Sequence, residues 1–272
     1  MTAWTIDTAH KRLLYHTLRV DTVLRDGTRG TGTAFVLAHT YARGRALFVV
    51  TNHHLVEDVA SGALVFTMAR AGQPLLRSRF ELRIEDFADA WLPHPDASVD
   101  LAITPLQPML DAAADQGVEL YWQPIDSHEA LTSHDAAALD ALEDVLFVGY
   151  PSGVWDQVNG LPILRRGITA TPPGLDFEGR REFLIDAAVY PGSSGSPVFI
   201  VGSTPVGAET LRFAGVVTAV FFREETRGLV PQPVPASHSP GGTNAEMIDL
   251  GLVVKAEEVC ALADAYLSRW VA

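Results

Sequence analysis

The chain has 272 residues, 47% of them hydrophobic, enough for a substantial core and too apolar for global disorder. Its formal charge of −13, from 20 Lys and Arg against 33 Asp and Glu, excludes the clustered cations that nonspecific nucleic-acid binding needs. A single cysteine, Cys260, excludes an intramolecular disulfide. No apolar run approaches the ~18 residues that span a bilayer, and no basic stretch followed by an apolar one opens the chain. The expectation is a cytoplasmic protein with no nucleic-acid and no membrane partner.

Ala9, Leu13, Leu14 and Leu18 recur at helical spacing, predicting a short helix over residues 7–18 with Asp7 or Thr8 as its cap. Short β-prone runs follow at 19–24, 33–38, 46–50, 62–68 and 75–84, separated by turn residues such as Asp26-Gly27 and Arg43-Gly44. Residues 106–143 are Ala-rich and polar, a linker with helical turns in which Ser133 is a candidate cap. Further strands are expected at 145–151, 164–170, 182–189, 198–201, 213–222 and 248–254. Residues 223–244 hold Pro231, Pro233, Pro235, Pro240 and Gly241-Gly242, a composition that predicts an exposed, mobile loop. A last helix over 256–270 carries Val259, Leu262, Ala263, Tyr266 and Leu267 on one stripe, with Cys260 as a packing residue.

Three segments carry chemistry. The first is Thr51-Asn52-His53-His54-Leu55-Val56, which supplies an imidazole. The second is Val99-Asp100-Leu101-Ala102-Ile103, which supplies a carboxylate ahead of an apolar strand. The third is Gly192-Ser193-Ser194-Gly195-Ser196-Pro197, which supplies hydroxyls flanked by residues small enough for close approach. A serine hydroxyl becomes a nucleophile at neutral pH only beside a base that takes its proton. His–Asp–Ser is one of the chain orders in which this constellation occurs. A Ser/Gly turn, a packed histidine and a chance aspartate are the bland alternatives. Among rivals, Ser193 and Ser196 compete with Ser194, His53 with His54, and Asp96 with Asp100.

These motifs resemble the chymotrypsin/trypsin superfamily of serine peptidases, above all its bacterial HtrA-type branch. That branch carries a TNxHV-like histidine block, a DLA-like aspartate block and a DAAxxPGxSG serine block. Here the last reads Asp186-Ala187-Ala188-Val189-Tyr190-Pro191-Gly192-Ser193-Ser194-Gly195. The resemblance runs from residues 30–33, similar to the family's entry behind its histidine, to the last helix. No segment is left for a PDZ domain.

The resemblance implies an all-β fold of two six-stranded antiparallel barrels in one peptidase domain. The first barrel would span about 19–105, the linker 106–143, the second barrel 144–255 and the terminal helix 256–270. It implies His54, Asp100 and Ser194 as base, orienting acid and nucleophile, with the backbone N–H groups of Gly192 and Ser194 as oxyanion hole. Ala188 matches the pocket floor, with Val189 and Tyr190 beside it, and Thr218, Ala219 and Val220 match the strand that pairs with substrate backbone. A methyl floor predicts a small or aliphatic residue before the cut, whereas Asp186 in the pocket would favour a basic one. Ser193 stands where animal trypsins carry an aspartate, so zymogen activation of the trypsin kind is not expected.

The reading is a serine endopeptidase acting on protein or peptide substrates through an acyl-enzyme, with no cofactor and no metal. A silent barrel used for protein binding is the alternative, and a protein partner that activates a latent enzyme is a further expectation.

Overall fold

The structure is a computed structural model that describes residues 4–203, 209–224, 232–235 and 245–270. The N-terminal helix α1 is shorter than its periodicity predicts, Ala9–Leu13, with the Thr8 hydroxyl as cap, accepting from the Lys11 N–H. It stops there because Leu18 and Val20 turn their side chains into a core and draw residues from Thr17 onward into β1 (Thr17–Leu24). The strands β2 (Arg29–Tyr41), β3 (Gly44–Thr51), β4 (Val59–Arg70) and β5 (Gln73–Ile84) follow, then β6 (Leu92–Pro93) and β7 (Ala102–Pro105). They form one sheet in the order β5-β4-β1-β2-β3-β7-β6.

The expected linker contains α2 (Gln107–Ala114) and α3 (Ser133–Ala136). Thr132, not Ser133, caps α3: its hydroxyl accepts from the Asp135 N–H, because residue 132 is the last one outside helical geometry. Two short strands between these helices return to the first sheet. β8 (Leu120–Tyr121) pairs with β4, and β9 (Ile125–Asp126) pairs with β2 in parallel.

The second sheet comprises β10 (Asp144–Gly149), β11 (Ile163–Thr169), β12 (Glu182–Asp186), β13 (Pro197–Ser203), β14 (Glu209–Glu224), β15 (Gln232–Pro235) and β16 (Ala245–Lys255). Its order, β13-β10-β11-β12-β16-β14, is closed by a β13–β14 pairing into a six-stranded barrel, with β15 added outside on β14. The loop expected over 223–244 is therefore part strand: β14 extends to Glu224, and Gln232–Pro235 pairs with it. Residues 225–231 and 236–244 lie outside the described residues.

Each sheet wraps its own core: Val20, Val36, Leu64 and Phe66 in the first, Phe147, Phe183, Val198 and Val217 in the second. A third core joins them. Phe35 and Val50 from one sheet meet Phe199 and Phe213 from the other, under Val259, Leu262, Ala263 and Leu267 of α4 (Ala256–Trp270). Burying each of the larger side chains, the Phe, Leu and Val, stabilises by about 1.5–3 kcal/mol, so α4 fastens the two sheets together. His39 of β2 adds a 2.8 Å contact to Asp264 on that helix.

Candidate active site

The β3–β7 ladder brings the histidine and aspartate segments together. Thr51 of β3 lies opposite Ala102 of β7, so the residues just past the end of β3 run beside those just before β7. His54 sits in a single helical turn there, and its backbone N–H donates to Asp100 Oδ1 at 2.9 Å. The ring Nδ1 lies 2.5 Å from Asp100 Oδ2, and the Asn52 amide donates to the Asp100 carbonyl at 2.8 Å. Nδ1 thus carries the proton and Nε2 is left as an acceptor.

The serine segment connects β12 to β13 across the barrel interface. Ser194 Oγ lies 3.1 Å from His54 Nε2 and 3.3 Å from the Thr218 carbonyl. The loop is held from behind: Thr33 N–H donates to the Ser194 carbonyl and Gly195 N–H to that of Val217, both at 2.9 Å. Gly195, at φ +82°, leaves no room for a side chain, since a Cβ would stand 1.8 Å from the Thr33 carbonyl oxygen. Gly192, at φ +88°, is equally confined by the Tyr150 carbonyl at 2.7 Å. The N–H groups of Gly192 and Ser194 donate to no acceptor among the described residues.

Burial pushes the Asp100 carboxyl up, but hydrogen bonds from His54 and Thr218 outweigh it and hold the group below the usual carboxylate range. The Thr218 hydroxyl donates to Asp100 Oδ2 at 2.6 Å. Asp100 is therefore an anion at neutral pH, oriented by three donors.

The rival residues lie elsewhere. His53 is half-buried and faces Glu57 at 3.5 Å. Asp96 accepts from the backbone and hydroxyl of Ser98 in its own turn. Ser196 Oγ donates to Thr33 Oγ1 at 3.4 Å, and the buried Ser193 hydroxyl has no partner among the described residues. Among the described residues no group of three His, Cys, Asp or Glu is placed to hold a metal ion.

The segment before the serine leaves the ladder after Asp186, where alternation ends. Val189 is fully buried with Ala187 in the second core, so its side chain presents no surface to a peptide, a correction to its expected lining role. Ala188 is half-buried, while Asp186 and Tyr190 are exposed. The Arg165 guanidinium lies 5.0 Å from the centre of the Tyr190 ring. Ala219 and Val220 are buried on β14.

Thr33, expected at the start of a strand behind the histidine, also braces the serine loop. Its hydroxyl donates to the Gly192 carbonyl and accepts from the Tyr150 N–H, both at 3.2 Å, and its carbonyl accepts from Thr51 at 2.7 Å. A second support was not visible in the sequence. Ser152 N–H donates to the Pro191 carbonyl, and three residues on, the Trp155 ring packs against Arg19 and Arg79 of the first sheet, at 4.4 and 3.7 Å from ring centre to guanidinium.

The profile of the trypsin-like peptidase domain matches residues 32–207. The chain belongs to the trypsin-like peptidase family. Solved structures resembling it include the HtrA-type protease AlgW with a tripeptide, 15% identical over 95% of this chain and 62% of that chain, TM-score 0.50. AlgW with a decapeptide is 14% identical over 97% and 68%, also at TM-score 0.50. The protease Anisep from Arthrobacter nicotinovorans is 12% identical over 93% and 96%, at TM-score 0.45. The chain spans 62% of the first AlgW chain, and at these identities the likeness is one of fold. No curated protein matches it. Among the described residues no helix is long and apolar enough to cross a membrane.

Proposed function

We propose that the chain is a serine endopeptidase that cleaves protein or peptide substrates through an acyl-enzyme. The observation that carries this reading is the unbroken relay from Asp100 through the His54 ring to Ser194 Oγ, with contacts of 2.5 and 3.1 Å. His54 Nε2 takes the hydroxyl proton as Oγ attacks the scissile carbonyl, and Asp100 steadies the imidazolium. The two free N–H groups, of Gly192 and Ser194, receive the oxyanion, and each such donor is worth about 3 kcal/mol to the transition state. His54 then gives its proton to the leaving amine, the C–N bond breaks, and water repeats the sequence on the ester.

Ala188 offers a methyl group to the residue before the cut, which favours a small or aliphatic side chain there. The Arg165 cation beside Tyr190 adds a charge that opposes Lys or Arg. Thr218, Ala219 and Val220 supply the strand to which the substrate backbone adds. A second reading, an enzyme at rest until a protein partner switches it on, is favoured by one observation: β15 already lies along β14, from Phe222 to Ala219.

The test is labelling with a fluorophosphonate probe. Wild type should label and Ser194→Ala should not; labelling of both would overturn Ser194 as the nucleophile, and absence of labelling in both would leave only the resting-enzyme and silent-barrel readings.

A further inference from the structure

The outer edge of β14 next to Ser194 is occupied by the chain itself. On β14, Thr218 turns its carbonyl to Ser194 Oγ at 3.3 Å. Backbone groups two residues apart point to the same edge of a strand, so the N–H and carbonyl of Val220 face the same side as that carbonyl. That is the side on which β15 lies, with Val234 opposite Val220, Pro235 opposite Ala219 and Gln232 opposite Phe222. The opposite edge is filled by β16, with Leu252 beside Ala219 and Gly251 beside Val220.

Composition fixes how this ladder bonds. Pro233 and Pro235 have no N–H to donate, so the paired bonds of an antiparallel ladder must run through Val234 and Gln232. The prolines fall at the alternate positions, where an edge strand tolerates them. The strand is antiparallel to β14, and residue numbers rise along it toward Thr218 and the site. An extended peptide added to this edge would have the same direction and use the same Val220 groups.

We infer that this edge, at residues 219–222 of β14, is a groove for an extended, proline-containing peptide, and that Gln232–Pro235 occupies it in cis. A peptide arriving from outside competes with the protein's own strand for Val220. The inference rests on the proposed peptidase reading for its consequence, since substrate is then admitted only when β15 leaves. It also defines the partner expected to activate the enzyme: one that draws residues 232–235 off the edge. Because a site open only a fraction of the time binds with its affinity reduced by that fraction, a strand docked nine-tenths of the time weakens outside peptides about tenfold.

The test uses the full-length chain carrying Ser194→Ala and a fluorescein-labelled, capped Gln-Pro-Val-Pro peptide, followed by fluorescence polarisation. Val234→Pro removes the one N–H that meets Val220 and should tighten peptide binding about tenfold. Equal affinity in both proteins, or binding to neither, overturns the inference. Hydrogen exchange on the unsubstituted chain guards against a misfolded variant: the Val220 and Val234 amides should be protected together, and fast exchange at both would overturn it as well. With Ser194 in place, Val234→Pro should lower KM about tenfold at unchanged kcat. A chain that neither labels nor turns over peptide in any form would defeat the peptidase reading, while the polarisation result would still decide the occupancy of the groove.

Discussion

The Thr33 hydroxyl donates to the Gly192 carbonyl at 3.2 Å, reaching from the first sheet into the loop that carries Ser194. The same oxygen accepts the Tyr150 N–H, so one buried side chain sets the Gly192 peptide relative to both barrels. Thr33→Val keeps the shape and removes both bonds, together with the 3.4 Å bond from Ser196 Oγ. Leaving each buried partner unpaired costs about 1–3 kcal/mol, so the midpoint of urea unfolding should fall. Turnover should also fall about tenfold or more as the Gly192 N–H loses its aim, and a variant with wild-type kcat would contradict this account.

His54 and His53 are neighbours with opposite roles. Asp100→Asn should reduce kcat about ten-thousandfold, by permitting the wrong ring tautomer. His54→Ala should abolish probe labelling, whereas His53→Ala, in a side chain turned to Glu57, should leave it intact. Labelling rates of the purified variants decide between the two rings.

Cleavage sites in a peptide library, read by mass spectrometry, should show Ala, Val or similar residues before the cut. Predominant Lys or Arg there would mean that Asp186, exposed at the end of β12, supplies the charge and that Ala188 does not set the preference.

His16 makes acid destabilising. Burial, reinforced by the nearby Arg12 and only partly offset by the bond to the Gln123 carbonyl, lowers its pKa from 6.5 to about 4. Below pH 6.5 the unfolded chain binds a proton that the folded chain refuses until about pH 4, so stability must fall as pH drops through that window. The slope is about 1.4 kcal/mol per pH unit, roughly 3 kcal/mol in all. His16→Asn retains a donor in the place of Nδ1 and should flatten this part of the pH–stability curve. An unchanged slope would show that His16 titrates normally.

The barrels and the grouping of His54, Asp100 and Ser194 were legible because each rests on a local pattern that the ladders then align. Thr51 opposite Ala102 needs only two strands in register, and strand alternation announces both. What stayed hidden depends on contacts between distant segments. Thr33 reads as the first residue of a strand behind the histidine, yet its hydroxyl bonds Gly192, Tyr150 and Ser196, each more than a hundred positions away. Helical spacing through Leu18 lost to the pairing of Thr17 with Phe35. The motif match sets Val189 beside the pocket floor, but past Asp186 the chain has left the sheet and the Val189 side chain packs into the second core. Prolines made 223–244 read as loop, because pattern alone does not show that β14 offers an edge where a proline-bearing strand fits.

The guanidinium groups of Arg19 and Arg79 both lie over the Trp155 ring, and Arg79 also reaches the Gln157 carbonyl. With one cysteine in the whole chain, no covalent tie joins the segment next to Pro191 to the opposite barrel. A flat ring gripped by two guanidinium groups does that fastening instead. Such a clasp is indifferent to reductant and oxidant, and it opens and closes without chemistry. Concentrated salt, rather than thiol, is the agent that loosens it.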